Sequence, residues 1–194
     1  MKMKRIFAVV SALALVISVA SCGSKTTPVV SAGDDNVEIN QPFAGFTTDA
    51  DYFRFVGEGV SPDQAAAGKI ARLNARTELG SMIETMVKAV TEQYMNQVTV
   101  GDKQEYRAKM EENARVAVAQ ALKGSYQKDS KLFKSKKDGR YTAYSAMEMP
   151  KKVVEDAVIE VISKDEKTAL EFDQFMFKKT FDAEMEKLAA EQAQ

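Results

Sequence analysis

Apolar residues fall into three kinds of pattern along the 194-residue chain. Between residues 6 and 20 they run almost unbroken, with Ser11 and Ser18 the only polar members. Residues 52–60 are dense in aromatics and valine, and 126–134 and 140–149 flank Lys137-Asp138-Gly139, a good hairpin turn. These three segments predict strands, the last two joined as a hairpin. In the last of them Tyr141, Ala143, Ser145 and Met147 share one face, while Arg140, Thr142, Tyr144 and Glu148 share the other.

The third pattern repeats every three or four residues and predicts helices. Ser61-Pro62-Asp63-Gln64 reads as a start, with Ser61 capping, Pro62 at the first helical position and Gln64 closing the box. The helix should run to about residue 97. One stripe is Ile70, Leu73, Thr77, Gly80, Ile83, Val87, Val90, Tyr94 and Val98; a second begins small, Ala67, Ala71, Ala75, and grows to Leu79, Met82 and Met86. Small residues four apart let a helix lie close on a sheet. Gly101 interrupts, and Asp102 with Glu105 starts a second helix whose inner face is Tyr106, Met110, Ala114, Ala117, Val118 and Ala121, ended by Gly124. Pro150 opens a third helix with Val153, Val154, Ala157, Val158, Val161 and Ile162 inward. Ser163-Lys164-Asp165-Glu166 is a capping box predicted to launch one terminal helix to about residue 191, carrying Phe172, Phe175, Met176, Phe177, Phe181, Met185 and Leu188. That apolar set exceeds a single stripe, so core packing competes with an intermolecular contact.

The N-terminus carries a separate signal. Met1-Lys2-Met3-Lys4-Arg5 precedes the apolar run, which is shorter than the roughly 20 residues that span a bilayer and has the length of a secretory h-region. The run ends Val19-Ala20-Ser21-Cys22, which resembles the lipobox of bacterial lipoproteins. The resemblance implies cleavage before Cys22 and a diacylglyceryl group plus an amide-linked acyl chain, such as palmitate, on that residue. Ordinary cleavage after Ala20, leaving Cys22 a plain thiol, is the competing outcome. At about 0.8 kcal/mol per buried CH₂, two chains already anchor stably. Gly23 stands where inner-membrane retention signals often place Asp, so the default destination is the outer membrane. Residues 23–36, rich in Ser, Thr, Asp, Gly and Pro, read as a tether with a reach on the order of 20 Å. Residues 37–46 should lie against the domain, because Ile39, Phe43 and Phe46 need cover. The chain thus divides into a leader (1–21), an acylated cysteine with its tether (22–50) and one α+β domain (51–194). That domain has a small antiparallel sheet of about three strands packed by a long helix, with further helices including a long C-terminal one.

Composition narrows the chemistry. Loss of the leader's Lys2, Lys4 and Arg5 leaves 24 basic against 28 acidic side chains, a balance that argues against nucleic acid. There is no histidine, which removes Ser-His-Asp and Cys-His catalysis and the commonest zinc ligand. The single cysteine precludes an intramolecular disulfide, so the core must hold the fold. Ser125-Tyr126-Gln127-Lys128 spells the Ser-x-x-Lys of penicillin-binding enzymes but begins a strand and lacks the companion motifs. Gly57-Glu58-Gly59 has Pro62 where a dinucleotide loop needs its third glycine, and reads instead as a place for close packing. The carboxylate pairs Glu111-Glu112 and Asp165-Glu166 fall on helix surfaces or caps, and Asp34-Asp35 falls in the tether. No catalytic, cofactor or metal residue emerges. Charge is segregated: residues 123–152 hold nine basic and three acidic side chains, residues 153–194 five and eleven. Mutual neutralisation or solvation is the usual fate of such runs; contact with anionic headgroups or an acidic partner is the alternative.

The order of elements, with Asp51-Tyr52-Phe53-Arg54-Phe55-Val56-Gly57-Glu58-Gly59, Asn74-Ala75-Arg76-Thr77-Glu78-Leu79 and Asp138-Gly139-Arg140-Tyr141-Thr142-Ala143-Tyr144, resembles the LPP-twenty lipoprotein family over roughly residues 50–150. The resemblance implies a helix packed on an antiparallel sheet, dodecin-like in part, and an envelope lipoprotein without established enzymatic activity. It implies a non-catalytic interaction or assembly module, partnered by the membrane through Cys22 and by envelope proteins or copies of itself. A small-ligand carrier with a pocket between helix and sheet is the alternative.

Overall fold

The computed structural model describes residues 41–192; the leader, Cys22, Asp34-Asp35 and the tether expected over 23–36 lie outside the described residues. The elements follow in the order β1 (Tyr52–Ser61), α1 (Gln64–Gln97), α2 (Lys103–Ala121), β2 (Tyr126–Lys134), β3 (Tyr141–Pro150), α3 (Lys151–Lys164), α4 (Glu166–Ala169) and α5 (Gln174–Gln192). The fold is α+β, a three-stranded antiparallel sheet in the order β1-β3-β2 with a long helix on it. Strand β3 is central because the hairpin ties it to β2 while β1 pairs along its whole length, from Tyr52 opposite Pro150 to Ser61 opposite Tyr141. Gly139 makes the turn at φ +73, a conformation that other residues adopt only with strain.

Alternation along the strands explains where α1 lies. Phe53, Phe55, Gly57 and Gly59 face it from β1, level with Met149, Met147, Ser145 and Ala143 of β3. The helix answers the two glycines with Ala67, Ala71 and Ala75, all buried. A Cβ on Gly57 would stand 2.3 Å from the Ala75 nitrogen and 2.4 Å from the Ala71 oxygen; one on Gly59 would stand 2.4 Å from the Ala67 oxygen. Helix backbone therefore rests on strand backbone, with no side chain between them. The C-terminal half of α1 instead meets α2 and α5, and its larger residues Leu79, Ile83, Val87, Val90 and Tyr94 enter the main core.

Several boundaries depart from the sequence pattern for identifiable reasons. Ser61 stays in the β1 ladder opposite Tyr141, so Asp63 is the cap of α1 and accepts from the Ala66 N–H at 2.7 Å. Ser61 Oγ accepts from the Asp63 N–H instead. The first stripe of α1 is buried only in its second half: Leu73 is 66% exposed and Ile70 is also exposed, because the sheet alone covers the N-terminal half. Val153 on α3 is exposed as well. The terminal helix is broken. Asp165 caps only the single turn α4, and Asp173 starts α5 by accepting from the Met176 N–H at 2.9 Å. The break lets Tyr94 sit among Phe172 and Phe177, with centroids 5.8 and 5.5 Å away, while its hydroxyl accepts from the Asp173 N–H at 2.8 Å. Most of the aromatic set is thereby core: Phe177, Phe181 and Met185 are fully buried, and only Leu170 and Phe175 stand out to solvent. The folded unit also takes in part of the expected tether. Thr48 is buried, its N–H donating to Gln192 Oε1 at 2.9 Å, so residues 41–50 belong to the domain.

Gly57→Ala should lower the unfolding free energy by about 3 kcal/mol or more, since backbone cannot yield as a side chain does. Gly68→Ala, on α1 with only Arg72 Nη1 at 3.8 Å, should be neutral or stabilise by up to about 1 kcal/mol. Urea unfolding of the two variants side by side checks the contrast.

Candidate functional site

The motifs singled out in the sequence do not converge. Gly57-Glu58-Gly59 lies beneath α1, and the Asn74 side-chain amide donates to the Glu58 carbonyl at 2.8 Å. Ser125 Oγ donates to the Leu122 carbonyl at 2.8 Å, whereas Lys128 reaches Glu148, so the Ser-x-x-Lys spelling forms no pair. Glu112 binds Lys109 on the surface of α2, and Asp165 is engaged as a cap. Among the described residues no group of three or more His, Cys, Asp or Glu is placed to hold a metal ion.

Glu148 is the polar residue that pattern reading passed over. It sits on the sheet face opposite α1 and is only 2% exposed. Arg54 of β1 donates to it from Nε at 3.3 Å, the Tyr126 hydroxyl of β2 donates at 2.5 Å, and Lys128 Nζ lies 3.2 Å away. Arg54 also binds Asp49 and the Thr47 carbonyl, the latter at 3.1 Å, and its guanidinium covers the rings of Tyr52 and Phe46. One carboxylate thus joins all three strands and the segment leading into them. Burial, the largest influence, raises the Glu148 pKa, but hydrogen bonds from Tyr126, Lys128 and Arg54 together outweigh it and hold the carboxyl below its ordinary value. The same bond to Glu148 pushes the Tyr126 hydroxyl up to about 12, so it stays a donor.

A register irregularity supplies one of these partners. Between Gln127 and Asp129 the β2 ladder skips Lys128, leaving it unpaired and able to reach Glu148. Beyond the bulge Asp129, Lys131 and Phe133 share the Glu148 face, and Ser130, Leu132 and Lys134 share the α1 face.

The two edges of the sheet differ. Along β1, Thr48 Oγ1 accepts from the Arg54 N–H at 3.1 Å, the Asp49 N–H donates to the Tyr52 carbonyl at 3.0 Å, and Asn74 takes the Glu58 carbonyl. That edge is met by the chain itself at Tyr52, at Arg54 and at the Glu58 carbonyl. Strand β2 has every residue exposed on both faces. Ser135 N–H donates to the Arg140 carbonyl at 2.8 Å, so antiparallel alternation turns the N–H groups of Ser130, Leu132 and Lys134 toward the free edge. Ser130 N–H is met there only by its neighbour's side chain, Asp129 Oδ1, at 2.7 Å. The adjoining hairpin is basic, and its charge is not neutralised from within. The acidic C-terminal stretch reaches residues 123–152 through Lys151–Asp182 and Lys152–Asp156, while Lys131, Lys134, Lys136, Lys137 and Arg140 have no carboxylate at ion-pair distance among the described residues. Two of these cations lie against rings instead, Lys131 at 4.7 Å from the Phe43 centroid and Lys134 at 5.1 Å from that of Tyr141.

No family model matches the chain, and no curated protein or solved structure matches it either.

Glu148→Gln should cost about 2–4 kcal/mol at neutral pH, because it strips a buried ion cluster of its centre. The folded state holds this carboxyl below its ordinary value of 4.5, so the stabilisation is complete above that pH and is lost as pH falls through the folded value. Denaturant midpoints measured from pH 7 down to pH 3 should therefore fall less steeply for the variant than for the parent. Parallel curves would show that Glu148 is not the linking group.

Proposed function

We propose that the chain is a lipid-anchored, non-catalytic interaction module of a bacterial envelope, held to the outer membrane through acyl chains on Cys22. The observation that carries the interaction role is the edge of β2, whose outward N–H groups at Leu132 and Lys134 no described residue meets, set against a β1 edge that the chain itself meets at Tyr52, Arg54 and Glu58. The anchor is supported by the lipobox-like Val19-Ala20-Ser21-Cys22 after a positively charged start, and by the likeness of residues 50–150 to LPP-twenty lipoproteins. A net acidic balance disfavours nucleic acid, leaving envelope proteins as the partners. The absence of histidine and the scatter of the carboxylates leave a hydrolase without support.

The carrier alternative needs room between helix and sheet. Backbone contact at Gly57 and Gly59 fills the place where such a pocket would begin. The surface grooves beside α1 are open to solvent, so this alternative is the weaker one.

The anchor is tested on protein extracted from envelopes. Mass spectrometry should find the mature chain beginning at Cys22 with a diacylglyceryl and an amide-linked acyl group. Cys22→Ser should leave the membrane fraction. An unmodified Cys22, or a leader still attached in the extracted protein, would refute the anchored reading.

A further inference from the structure

The basic hairpin and the open edge occupy the same strand, and together they define what the edge can accept. We propose that β2 binds an extended acidic polypeptide segment of another envelope protein, which adds as a fourth strand and carries two carboxylates separated by two apolar residues. This rests on the reading of the domain as an interaction module but not on the chemistry of Cys22.

The argument runs along Lys131-Leu132-Phe133-Lys134. The outward N–H groups of Leu132 and Lys134 are unused by the sheet, which is what strand addition requires. An added strand places one residue opposite each of these four, and opposite residues share a face. A carboxylate opposite Lys131 meets it on the Glu148 face, and one opposite Lys134 meets it on the α1 face, where Lys69 and Arg72 stand beside the groove between helix and strand. The two positions between face Leu132 and Phe133, both exposed apolar side chains. The complement is therefore Glu or Asp, two apolar residues, then Glu or Asp.

A second copy of β2 fits poorly. The strand holds Lys128, Lys131 and Lys134 against Asp129 alone, so self-pairing sets like charges together. An anionic lipid surface would engage the hairpin tip at Lys136, Lys137 and Arg140, but would leave the outward N–H groups and the exposed Leu132 and Phe133 without partners. Aromatic rings moreover hold Lys131 and Lys134 along the strand, three residues apart, which suits a peptide.

The test uses the full chain purified from envelopes in non-ionic detergent and a fluorescein-labelled nine-residue peptide centred on Glu-Val-Val-Glu. Anisotropy should report saturable binding that weakens at least tenfold between 50 and 500 mM salt, with no binding of the Lys-Val-Val-Lys counterpart. Leu132→Pro removes one outward donor without touching the ladder, as edge strands tolerate. It should abolish binding while the thermal midpoint stays within a few degrees of the parent. Lys131→Gln with Lys134→Gln, which alters no backbone group, should weaken binding at least tenfold. Failure of the acidic peptide to bind, binding indifferent to both variants, or binding to phosphatidylglycerol vesicles alone would each overturn the proposal. The same preparation is weighed for acylation, so a triacylated chain that ignores the peptide sinks this inference and spares the anchor.

Discussion

The architecture depends on the backbone contact between α1 and β1. Two glycines on the strand and three alanines on the helix keep bulky side chains out of this contact, so α1 settles directly on the sheet there. Position follows from that closeness. A helix seated over β1 and level with Ala143 and Ser145 of β3 leaves the inner face of β2 uncovered, and Leu132 on that face is exposed. The same seating leaves Leu73 exposed, since the N-terminal half of α1 has only the sheet beneath it. Farther along, where the stripe grows to Leu79 and Ile83, side chains return and the other helices assemble around them. One helix therefore closes the domain at one end and leaves it open at the other.

An edge strand with nine exposed residues has little burial of its own to hold it in place. Its ladder to β3 supplies part of the hold, and Glu148 supplies a cross-link to β1 as well. A buried carboxylate is rarely the most stable occupant of such a position, because desolvation offsets much of the attraction to its partners. Its contribution here is register. Only one alignment of the three strands brings Arg54, Tyr126 and Lys128 to the same carboxyl, and a slip of one residue would move Glu148 to the opposite face. The sheet keeps its edge both exposed and fixed, and a strand-binding surface needs both properties.

Much of this was legible from residue spacing. The alternation that separates Ala143 and Ser145 from Tyr144 and Glu148, the alanine stripe of α1, the inner face of α2 and the Gly139 turn all stand in the structure as the pattern predicts. What escaped was set by contacts distant in sequence. The break between α4 and α5 exists because Tyr94, some eighty residues earlier, takes the Asp173 N–H and the two flanking phenylalanines; locally, the capping box at Ser163 pointed to one continuous helix. Ser61 is a good cap by identity, but Tyr141 holds it in the ladder. By pattern Glu148 is one polar position of an alternating strand, and its burial follows from three partners on other segments. The bulge at Lys128 leaves no mark in the sequence, yet it decides which lysines face which side.

Open strands are usually protected by charge, and the lysines of β2 serve that end by disfavouring another β2. Their spacing also makes the exclusion selective, because a repulsive edge for one sequence is an attractive edge for its complement. Four residues of recognition give only modest affinity. Were Cys22 acylated and residues 23–36 the tether that their composition predicts, encounter would take place within the thin layer such a tether can sweep, and tethering raises the effective concentration of any partner in that layer without a new contact. A weak, salt-sensitive strand site is then sufficient for an envelope protein held beside its partner, where it would be too weak for one diffusing freely. On the proposed reading, confinement and a short recognition strand would complement one another.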